Sequence, residues 1–266
     1  MREKLVSVIM GVYNCEHRIR YCIDSIKSQI YTNWELIICD DCSTDNTYDL
    51  LTELEREDSR IRVIRNTKNS KLAFSLNRCL EIAKGDYIAR IDDDDVCYPL
   101  RFSKQVAFLE NNSEYDVVGS WADIYDGYEV VSTRKSKRVP EKNDLLWGPC
   151  HMHPTIMMRS DAYKRLNGYV VSSRTERGQD WDLWFRFYAM GMKGYNLPEA
   201  LIRYHESKED KKKRTLKTAW MYTRTAFVGY RLIGVPIYNY VFAFKPLISA
   251  IMPDRFLDIY HGNSRR

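Results

Sequence analysis

The first hundred residues alternate short apolar runs with longer amphipathic segments, and this alternation constrains the fold more than any other feature. Apolar runs typical of buried strands occupy residues 5–10, 34–39, 61–65 and 86–91. Segments with apolar side chains at helical spacing occupy residues 16–30, 43–57 and 72–84. Strands that alternate with helices in this way are typical of parallel sheets with helical crossovers. The sequence therefore predicts an α/β fold.

The pattern is less regular in the rest of the chain. Three further elements are predicted: a helix over 100–110, a strand over 115–120 and a hairpin with its turn at Asp126–Gly127. Residues 203–214 form a charge run typical of a domain edge. The 266 residues suffice for one large domain with an appendage, which we place at 1–205 and 206–266.

Three polar clusters follow predicted strands at the point where each strand ends. They are GVYN at 11–14, DDCSTD at 40–45 and DDDD at 92–95. Because ligands of open α/β sheets gather at the carboxyl ends of the strands, we expect these clusters to share one binding edge.

The run of four aspartates at this edge needs a partner of opposite charge. At about 4 Å and an effective dielectric constant of about 20, one carboxylate pair costs roughly 4 kcal/mol. Hard cations such as Mg²⁺ and Mn²⁺ bind carboxylate oxygens together with substrate phosphates. In an extended backbone alternate residues point the same way, so Asp92 and Asp94 would face the ligand. Asp93 and Asp95 would take supporting positions, and a solvated acidic turn is the alternative.

Two classes of enzyme use such carboxylates. One transfers a group from a nucleotide diphosphate whose phosphates bind the metal. The other is a phosphatase of the haloacid-dehalogenase type, with Asp92 as nucleophile, but the downstream G-D-x-x-x-D motif of that class is missing from the sequence. We therefore favour group transfer. The phosphatase and a non-catalytic nucleotide-sugar-binding protein are kept as alternatives.

Cysteine usage and the N-terminal sequence indicate a reduced, cytoplasmic environment. The seven cysteines are an odd number and are scattered along the chain, unlike a disulfide framework. Cys39 and Cys42 enclose two aspartates and have no second C-x-x-C, which argues against a redox dithiol or a zinc site. The first apolar run is interrupted by Ser7 and Asn14, unlike a signal peptide.

Four motifs in order resemble family 2 of the inverting nucleotide-sugar glycosyltransferases, of the bacterial O-antigen and capsule type. They are VSVIMGVYN, LIICDDCSTDNT, GDYIARIDDDDVCYPLRF and GQDWDLWFR, and they span about residues 6 to 187. The resemblance implies a GT-A fold, with a Rossmann-like, mostly parallel central sheet and flanking helices. It also implies that residues up to about 100 bind the nucleotide and that residues 101–205 bind the acceptor.

The resemblance assigns roles to single residues. The nucleotide-sugar would contact Gly11, Tyr13, Asp41, Asp92 and Asp93, with Tyr13 against the base and Asp41 accepting a hydrogen bond from uracil. The metal, Mn²⁺ or Mg²⁺, would be held by Asp94, Asp92 and His205. Asp180 would be the general base, in a motif where this chain has Gln179 instead of the frequent Glu, and Asp182 is its rival.

Contacts to the acceptor or the diphosphate are predicted for His153, Trp181 and Arg177. A diphosphate clamp formed by Lys68, Arg174 and Arg177 is weighed against ordinary surface charge. Trp184 either stacks on an acceptor sugar beside Trp181 or belongs to the core.

These roles define a single displacement that inverts the anomeric carbon. A cation neutralises the leaving diphosphate, and a carboxylate takes the proton of the attacking hydroxyl. The Q-x-x-R-W motif of processive polysaccharide synthases is missing from the sequence, so one sugar per acceptor is expected. We expect glucose or galactose to pass from a UDP-sugar to a HexNAc linked to undecaprenyl diphosphate. No nucleic-acid partner is expected.

The C-terminal segment is more basic than the rest of the chain. Residues 203–266 contain 13 Lys/Arg and 5 Asp/Glu. Their longest uncharged stretch, 232–244, has 13 residues, fewer than the about 20 that a membrane-spanning helix needs. The basic and aromatic composition is typical of a segment lying on an anionic membrane surface, here the inner face of the cell membrane. A helical pair packed on the core is the alternative.

Overall fold

A computed structural model describes residues 2–206 and 215–252, which fold around one nine-stranded sheet. The strands are β1 (Val6–Val12), β2 (Trp34–Asp40), β3 (Ile61–Arg65), β4 (Tyr87–Arg90), β5 (Val96–Cys97), β6 (Val117–Tyr125), β7 (Val130–Arg134), β8 (Met157–Arg159) and β9 (Gly194–His205). The helices are α1 (Ile19–Lys27), α2 (Thr47–Glu57), α3 (Leu72–Ile82), α4 (Arg101–Asn111), α5 (Ser160–Leu166), α6 (Gln179–Ala189), α7 (Leu216–Leu232) and α8 (Lys245–Ile251). Short 3-10 helices occupy Lys142–Leu146, His153–Thr155 and Ile237–Phe244.

The first four strands form a parallel unit. β1 lies between β2 and β4, and β2 also pairs with β3. Ile9 of β1 is level with Ile37 of β2 and Arg90 of β4, so the three strands run towards the same edge. The predicted parallel strands with helical crossovers are therefore confirmed, and the ends of the elements differ from the prediction by a few residues.

The second part of the sheet is mixed. β8 is antiparallel to β4 on one side and to β6 on the other, and so joins the two parts. β6 pairs in parallel with β9, while the short β5 is antiparallel to β9. β6 and β7 form the predicted hairpin around Asp126 and Gly127. The strand order is β3-β2-β1-β4-β8-β6-β9-β5.

Helices cover both faces of the sheet because the central strands are apolar in both directions. On β1, Val8 and Met10 pack on one face and Ile9 packs on the other. The first face is covered by α1, α2 and α4, and the second by α3, α5 and α6. Burial on both faces is typical of parallel sheets. Trp184 of α6 is fully buried in the second core, which confirms it as a core residue.

The C-terminal helices complete the second core. Ala226 and Tyr230 of α7 are fully buried there, together with Ala243 of the following 3-10 helix. α7 and this 3-10 helix therefore pack on the core, whereas α8 has no buried residue. Within the described ranges, no helix is long and apolar enough to cross a membrane. Most of the predicted charge run at 203–214, namely residues 207–214, and the last residues, 253–266, lie outside the described residues.

Candidate active site

The carboxyl ends of β1 and β2 lie side by side, as the polar clusters predict. Val12 of β1 is level with Asp40 of β2, and the N–H of Asp41 donates to the carbonyl of Val12 over 2.8 Å. Tyr13 follows directly and its ring is exposed at this edge. β4, on the other side of β1, delivers Asp92 to the same edge. Neighbouring strands are about 4.8 Å apart, so the predicted nucleotide contacts of the three strands share one short edge.

Gly11 is required by packing. A Cβ atom at this position would lie 2.9 Å from Cδ1 of Leu72 and 3.1 Å from Cβ of Ser75. Contacts this short leave room for a hydrogen only, so α3 lies directly against the end of β1. This packing role stands beside the nucleotide contact that the resemblance implies for Gly11.

Asp41 is a buried carboxylate held by three donors. Its Oδ1 accepts from Asn66 Nδ2 and from the backbone N–H of Ser70, each over 2.7 Å, and its Oδ2 accepts from the N–H of Lys71 over 2.8 Å. A carboxylate has about four lone-pair sites, so one is left for a ligand. The donors fix the orientation of Asp41 before any ligand binds.

The four aspartates form a turn and not an extended strand, which corrects the expectation. β4 ends at Arg90, and the N–H of Asp95 donates to the carbonyl of Asp92 over 3.3 Å. A hydrogen bond from residue i+3 back to residue i is typical of a β-turn. The directions of the four side chains are therefore set by their partners and not by strand alternation.

Each aspartate of the turn has a different partner. Both oxygens of Asp92 pair with the guanidinium of the buried Arg90. Asp93 accepts from Arg18 over 3.0 Å. Asp95 is fully buried and accepts from the backbone N–H of His205 over 3.0 Å. These contacts give Asp93 and Asp95 the supporting positions that the sequence predicts.

Among the four aspartates of the turn, Asp94 has the weakest side-chain contacts. Its Oδ2 lies 3.6 Å from Nδ1 of His205, beyond hydrogen-bond distance, and its side chain is partly exposed. His205 reaches this place because β9 pairs with β5, the strand that directly follows the turn. The pairing brings together two residues that are far apart in the sequence.

Burial makes this cluster resist ionisation. It raises the pKa of Asp93 to about 6, with Arg18 acting in the opposite direction and the neighbouring carboxylates adding to the rise. Burial and then the charge of Asp92 raise the pKa of Asp94, and the same causes raise that of Asp95 well above its usual range. Carboxylates that are buried together in this way are stabilised by a cation.

The donor set at this edge fits a hard divalent cation. Asp94 and His205 offer an oxygen and a nitrogen side by side, and Asp92 offers oxygens now paired with Arg90. In the part of the chain that the structure describes, no group of three or more His, Cys, Asp or Glu side chains is arranged to hold a metal alone. Mg²⁺ and Mn²⁺ are commonly held by one or two carboxylates together with substrate phosphates, so such a site is completed by the substrate.

Asp180 lies in the first turn of α6, where the helix dipole favours a negative charge. Its Oδ1 accepts from the backbone N–H of Trp181 over 2.8 Å. Burial raises the pKa of Asp180; the N–H of Trp181 and the charge of Arg90 oppose the rise, and Asp92 adds to it. Arg90 and Asp92 are therefore the charged groups of the aspartate turn and its preceding strand whose electrostatic influence reaches Asp180.

Asp182, the alternative candidate for the base, has both carboxylate oxygens in ion pairs. It is buried, with one oxygen 2.7 Å from Arg174 and the other 2.9 Å from Nε of Arg186. A carboxylate with both oxygens in buried ion pairs has a structural role, and removing one partner of such pairs is strongly destabilising. Arg174 is correspondingly held by Asp182.

The acceptor-side predictions fall at different depths. His153 is buried and its Nε2 lies 2.8 Å from the hydroxyl of Tyr169. Trp181 is also buried, and its indole N–H donates to the carbonyl of Leu145 over 3.2 Å. Arg177 is exposed; burial raises the pKa of the Tyr222 hydroxyl to about 12, the charge of Asp180 adds to the rise, and the charge of Arg177 opposes it. Arg177 is therefore the member of this group that lies open to a ligand near the predicted base.

Lys68 lies on the opposite side of the site from Asp92. It follows β3, and two strands, β2 and β1, separate β3 from β4. At about 4.8 Å per strand, this places Lys68 roughly 14 Å from the aspartate turn. It lines a cavity with Arg65, Phe74 and Val171, next to Asp41 rather than next to the predicted diphosphate site.

Two site residues were missed by sequence reasoning. Arg90 and Arg18 hold Asp92 and Asp93. A charged residue inside the apolar run DYIARI, two positions before an aspartate, is a signal that could have indicated Arg90. Arg18 precedes a helix in a polar stretch and carries no comparable signal.

This arrangement of a parallel nucleotide-type half and a mixed acceptor-type half is the fold of GT-A glycosyltransferases. The solved structure of S. aureus TarS 1–349 in complex with UDP-GlcNAc matches it with a TM-score of 0.70, over 94% of this chain and 82% of that chain, at 17% identity. The chain belongs to glycosyl transferase family 2, whose family model matches residues 7–167. It is a glycosyltransferase.

Two relatives extend the likeness along the chain. EpsE of Bacillus subtilis (strain 168), whose name places it among glycosyltransferases, is 44% identical over 257 residues, 96% of this chain and 92% of its own length. WfaP of Escherichia coli is 33% identical over 204 residues, 76% of this chain and 78% of its own length. Its name describes a UDP-Glc:α-D-GlcNAc-diphosphoundecaprenol β-1,3-glucosyltransferase.

Proposed function

We propose that the protein transfers one hexose, glucose or galactose, from a UDP-sugar to a HexNAc linked to undecaprenyl diphosphate, with inversion and with a divalent metal. The observation that supports this proposal is the pair formed by Asp94 and His205 at the edge where the strands of the predicted nucleotide half end. The activity named for WfaP supports both the donor and the lipid-linked acceptor. Surface polysaccharide biosynthesis of the O-antigen type is the corresponding process.

The donor nucleotide is proposed to lie along the ends of β1, β2 and β4. The exposed ring of Tyr13 offers a face to the base, and Asp41 keeps one lone-pair site free for an N–H of uracil. Asp92 is near the ribose side of the turn, and Asp93 supports the turn through Arg18. The diphosphate then falls beside Asp94.

Asp94, His205 and Asp92 are proposed to hold Mn²⁺ or Mg²⁺. When bound, the cation stabilises the charge that develops on the leaving diphosphate. Asp94 is suited to this role because, among the described residues, no Lys or Arg forms an ion pair with it, while Arg90 holds Asp92 and Arg18 holds Asp93. Arg177, exposed near Asp180, is proposed to contact the acceptor or the diphosphate.

Asp180 is proposed to accept the proton of the attacking acceptor hydroxyl. Its raised pKa, caused by burial, moves it towards the range in which a carboxylate is an effective base. Because Gln179 precedes Asp180, Asp180 is the carboxylate of this motif pair. The single displacement that it assists gives a β-linked product from an α-linked donor. His153 and Trp181, both buried, are proposed to shape the acceptor cavity from behind.

A lipid-linked acceptor places the reaction at the inner face of the cell membrane, where we propose that the protein binds peripherally. Membership of a glycosyltransferase family disfavours the rival phosphatase mechanism and likewise a non-catalytic role.

The test uses the purified full chain, a panel of UDP-sugars and either Mn²⁺ or Mg²⁺. UDP release is measured with and without GlcNAc or GalNAc linked to diphosphoundecaprenol. We expect acceptor-dependent release with UDP-glucose or UDP-galactose that stops when EDTA is added, and a β-linked product by NMR. Absence of release with every donor would overturn the proposal, and full activity in EDTA would overturn its metal requirement.

A further inference from the structure

Helix α7 has an apolar stripe that faces away from the protein. Leu216, Trp220, Val228 and Leu232 are 58%, 52%, 49% and 48% exposed. With Arg224 they recur at every fourth residue, and because an α-helix has 3.6 residues per turn, the stripe winds by about 160° around the solvent-facing part of the helix between Leu216 and Leu232. At 1.5 Å per residue, this α7 stripe is about 24 Å long.

The opposite side of α7 explains why the helix keeps this orientation. Ala219, Thr223, Ala226 and Tyr230 are buried against the core, also at helical spacing. The helix therefore cannot turn its stripe inwards without exposing this second set. An apolar stripe of this length on a water-exposed surface is typical of an interaction site.

The charge of the segment indicates the kind of partner. Residues 215–252 contain four cations, Lys217, Arg224, Arg231 and Lys245, and no Asp or Glu. The first three of these cations lie on α7 and are exposed. Cations beside exposed aromatic and aliphatic side chains are complementary to an anionic surface with an apolar interior.

A second copy of the chain fits this surface less well. Two α7 stripes brought together about a twofold axis would place exposed arginines of both copies at one interface. No carboxylate in residues 215–252 is available to pair with them. A bilayer containing anionic lipids satisfies both the charge and the apolar area.

The α7 stripe is also connected to the predicted base. Tyr222, on the same helix, packs against Gly178 so closely that a Cβ there would lie 2.8 Å from Cε1 of Tyr222. Gly178 precedes α6, whose first turn carries Asp180. A partner surface that binds the stripe therefore contacts α7, the same helix that packs against the residue preceding α6.

We propose that the α7 stripe docks the enzyme on the anionic lipid surface that carries its acceptor. This inference rests on the proposed lipid-linked acceptor and names the surface that meets the bilayer. The segment after α7 adds exposed apolar side chains that extend the contact: Ile237, Tyr238, Val241, Phe244, Ile248 and Ile251.

The test measures flotation of the full chain with vesicles. One set contains phosphatidylglycerol in phosphatidylcholine, and the other contains phosphatidylcholine alone. Val228→Ser combined with Leu232→Ser removes two apolar side chains of the stripe, and Arg224→Glu reverses its central charge. The matched control, Val130→Ser with Val131→Ser, removes two exposed aliphatic side chains from β7.

We expect wild type and the β7 control to bind anionic vesicles, and both stripe variants to bind them at least about tenfold more weakly. Arg224→Glu should also lower the salt sensitivity of binding, because it removes a charge contact. Melting temperatures of the variants should match the control, since the changed side chains are exposed.

Equal vesicle binding by the stripe variants and wild type, or no binding by wild type, would overturn the inference. A concentration-dependent dimer in sedimentation that the stripe variants lose would assign the surface to a second copy instead. UDP release with a water-soluble acceptor is measured in parallel. If vesicle binding follows the stripe but no lipid-linked HexNAc is glycosylated, the docking surface stands and the proposed acceptor is wrong.

Discussion

The two halves of the molecule hold their polar side chains in opposite ways. In the nucleotide half, carboxylates gather at an open edge, and burial raises the pKa of Asp93 and of Asp94. In the acceptor half, His151 and His153 are buried, and burial lowers the pKa of both so that they are neutral. An acidic edge is stabilised by a bound cation, whereas a neutral buried network is complete without one. The carboxylates of the first half are therefore suited to a cation, whereas the buried histidines of the second half need no ionic partner; Asp180 is the carboxylate of the second half that we propose as the base.

The sharpest test of this division compares Asp180 with Asp182, two residues apart on α6. Asp180→Asn should lower kcat by about 10²- to 10⁴-fold, the range for loss of a general base, and leave UDP binding unchanged. Asp182→Asn should instead lower the free energy of unfolding by about 3 kcal/mol, because Arg174 and Arg186 lose a buried ionic partner. Steady-state kinetics and thermal unfolding of both variants measure the two effects.

The two variants act as controls for each other. Asp180→Asn with more than a tenth of wild-type kcat would remove Asp180 from the base position. If Asp182→Asn were as stable as wild type but inactive, the base would be Asp182, and the ion pairs would be incidental.

Within the nucleotide half, Asp94 and Asp93 should differ. Asp94→Ala should reduce transfer by about 10²-fold or more, because metal-assisted charge stabilisation contributes several kcal/mol. Asp93→Ala should be milder, since Asp93 pairs with Arg18 and supports the turn from the side. Titration of each variant with Mn²⁺, followed by UDP release, separates lost metal affinity from a distorted turn. Equal losses in both variants would mean that the four aspartates act as one cluster.

The sequence predicted the nucleotide half better than the acceptor half for a physical reason. The strands β1 to β4 are consecutive in the chain and form one contiguous parallel part of the sheet, so local periodicity and the rule for carboxyl ends place Asp41 and Asp92 at the same edge. The backbone of the four aspartates forms a turn closed by a hydrogen bond from the N–H of Asp95 to the carbonyl of Asp92. The assumption of an extended backbone was wrong there.

The acceptor half depends on contacts between distant residues. β8 has three residues, and β9, which contains Pro198, lacks a clear alternating pattern, so neither was predicted as a strand. The neighbourhood of His205 and Asp94 arises from the pairing of β9 with β5, which local periodicity does not encode. Burial of His153 and Trp181 likewise follows from tertiary packing, so sequence reasoning could not assign their depth.

A pH titration tests the acceptor half through His151. Its Nδ1 lies 2.7 Å from Oδ1 of Asn196 and its Nε2 lies 2.9 Å from the hydroxyl of Tyr188. The amide nitrogen of Asn196 donates to the carbonyls of Lys137 and Cys150, so its oxygen is the acceptor and Nδ1 of His151 carries the proton. Burial lowers the pKa of His151 to about 4.

The sign follows from linkage. Because the folded pKa lies below the ordinary value of about 6.5, the unfolded state binds the proton first. Stability from the neutral form is therefore present above about pH 6.5 and is lost as the pH falls towards 4, by up to about 1.4 kcal/mol per pH unit for this residue. Urea unfolding at a series of pH values should show a shallower slope for His151→Gln than for wild type. Identical slopes would show that His151 does not contribute to the pH dependence.

The smallest expected effect concerns strain, which also collects in the nucleotide half. Asn14, Cys42 and Lys71, all in loops at the edge of the site, have φ angles of 50°, 62° and 72°. Lys71 combines φ of 72° with ψ of 165°, a region adopted almost only by glycine. The conformation aims its N–H at Asp41, so the strain belongs to the arrangement that fixes this carboxylate.

Lys71→Gly should relieve about 1 kcal/mol net and raise the melting temperature by about 2–4 °C. Lys71→Ala keeps the positive φ with a Cβ and should give no such gain, so equal melting temperatures for the two variants would mean that the strain at Lys71 is negligible.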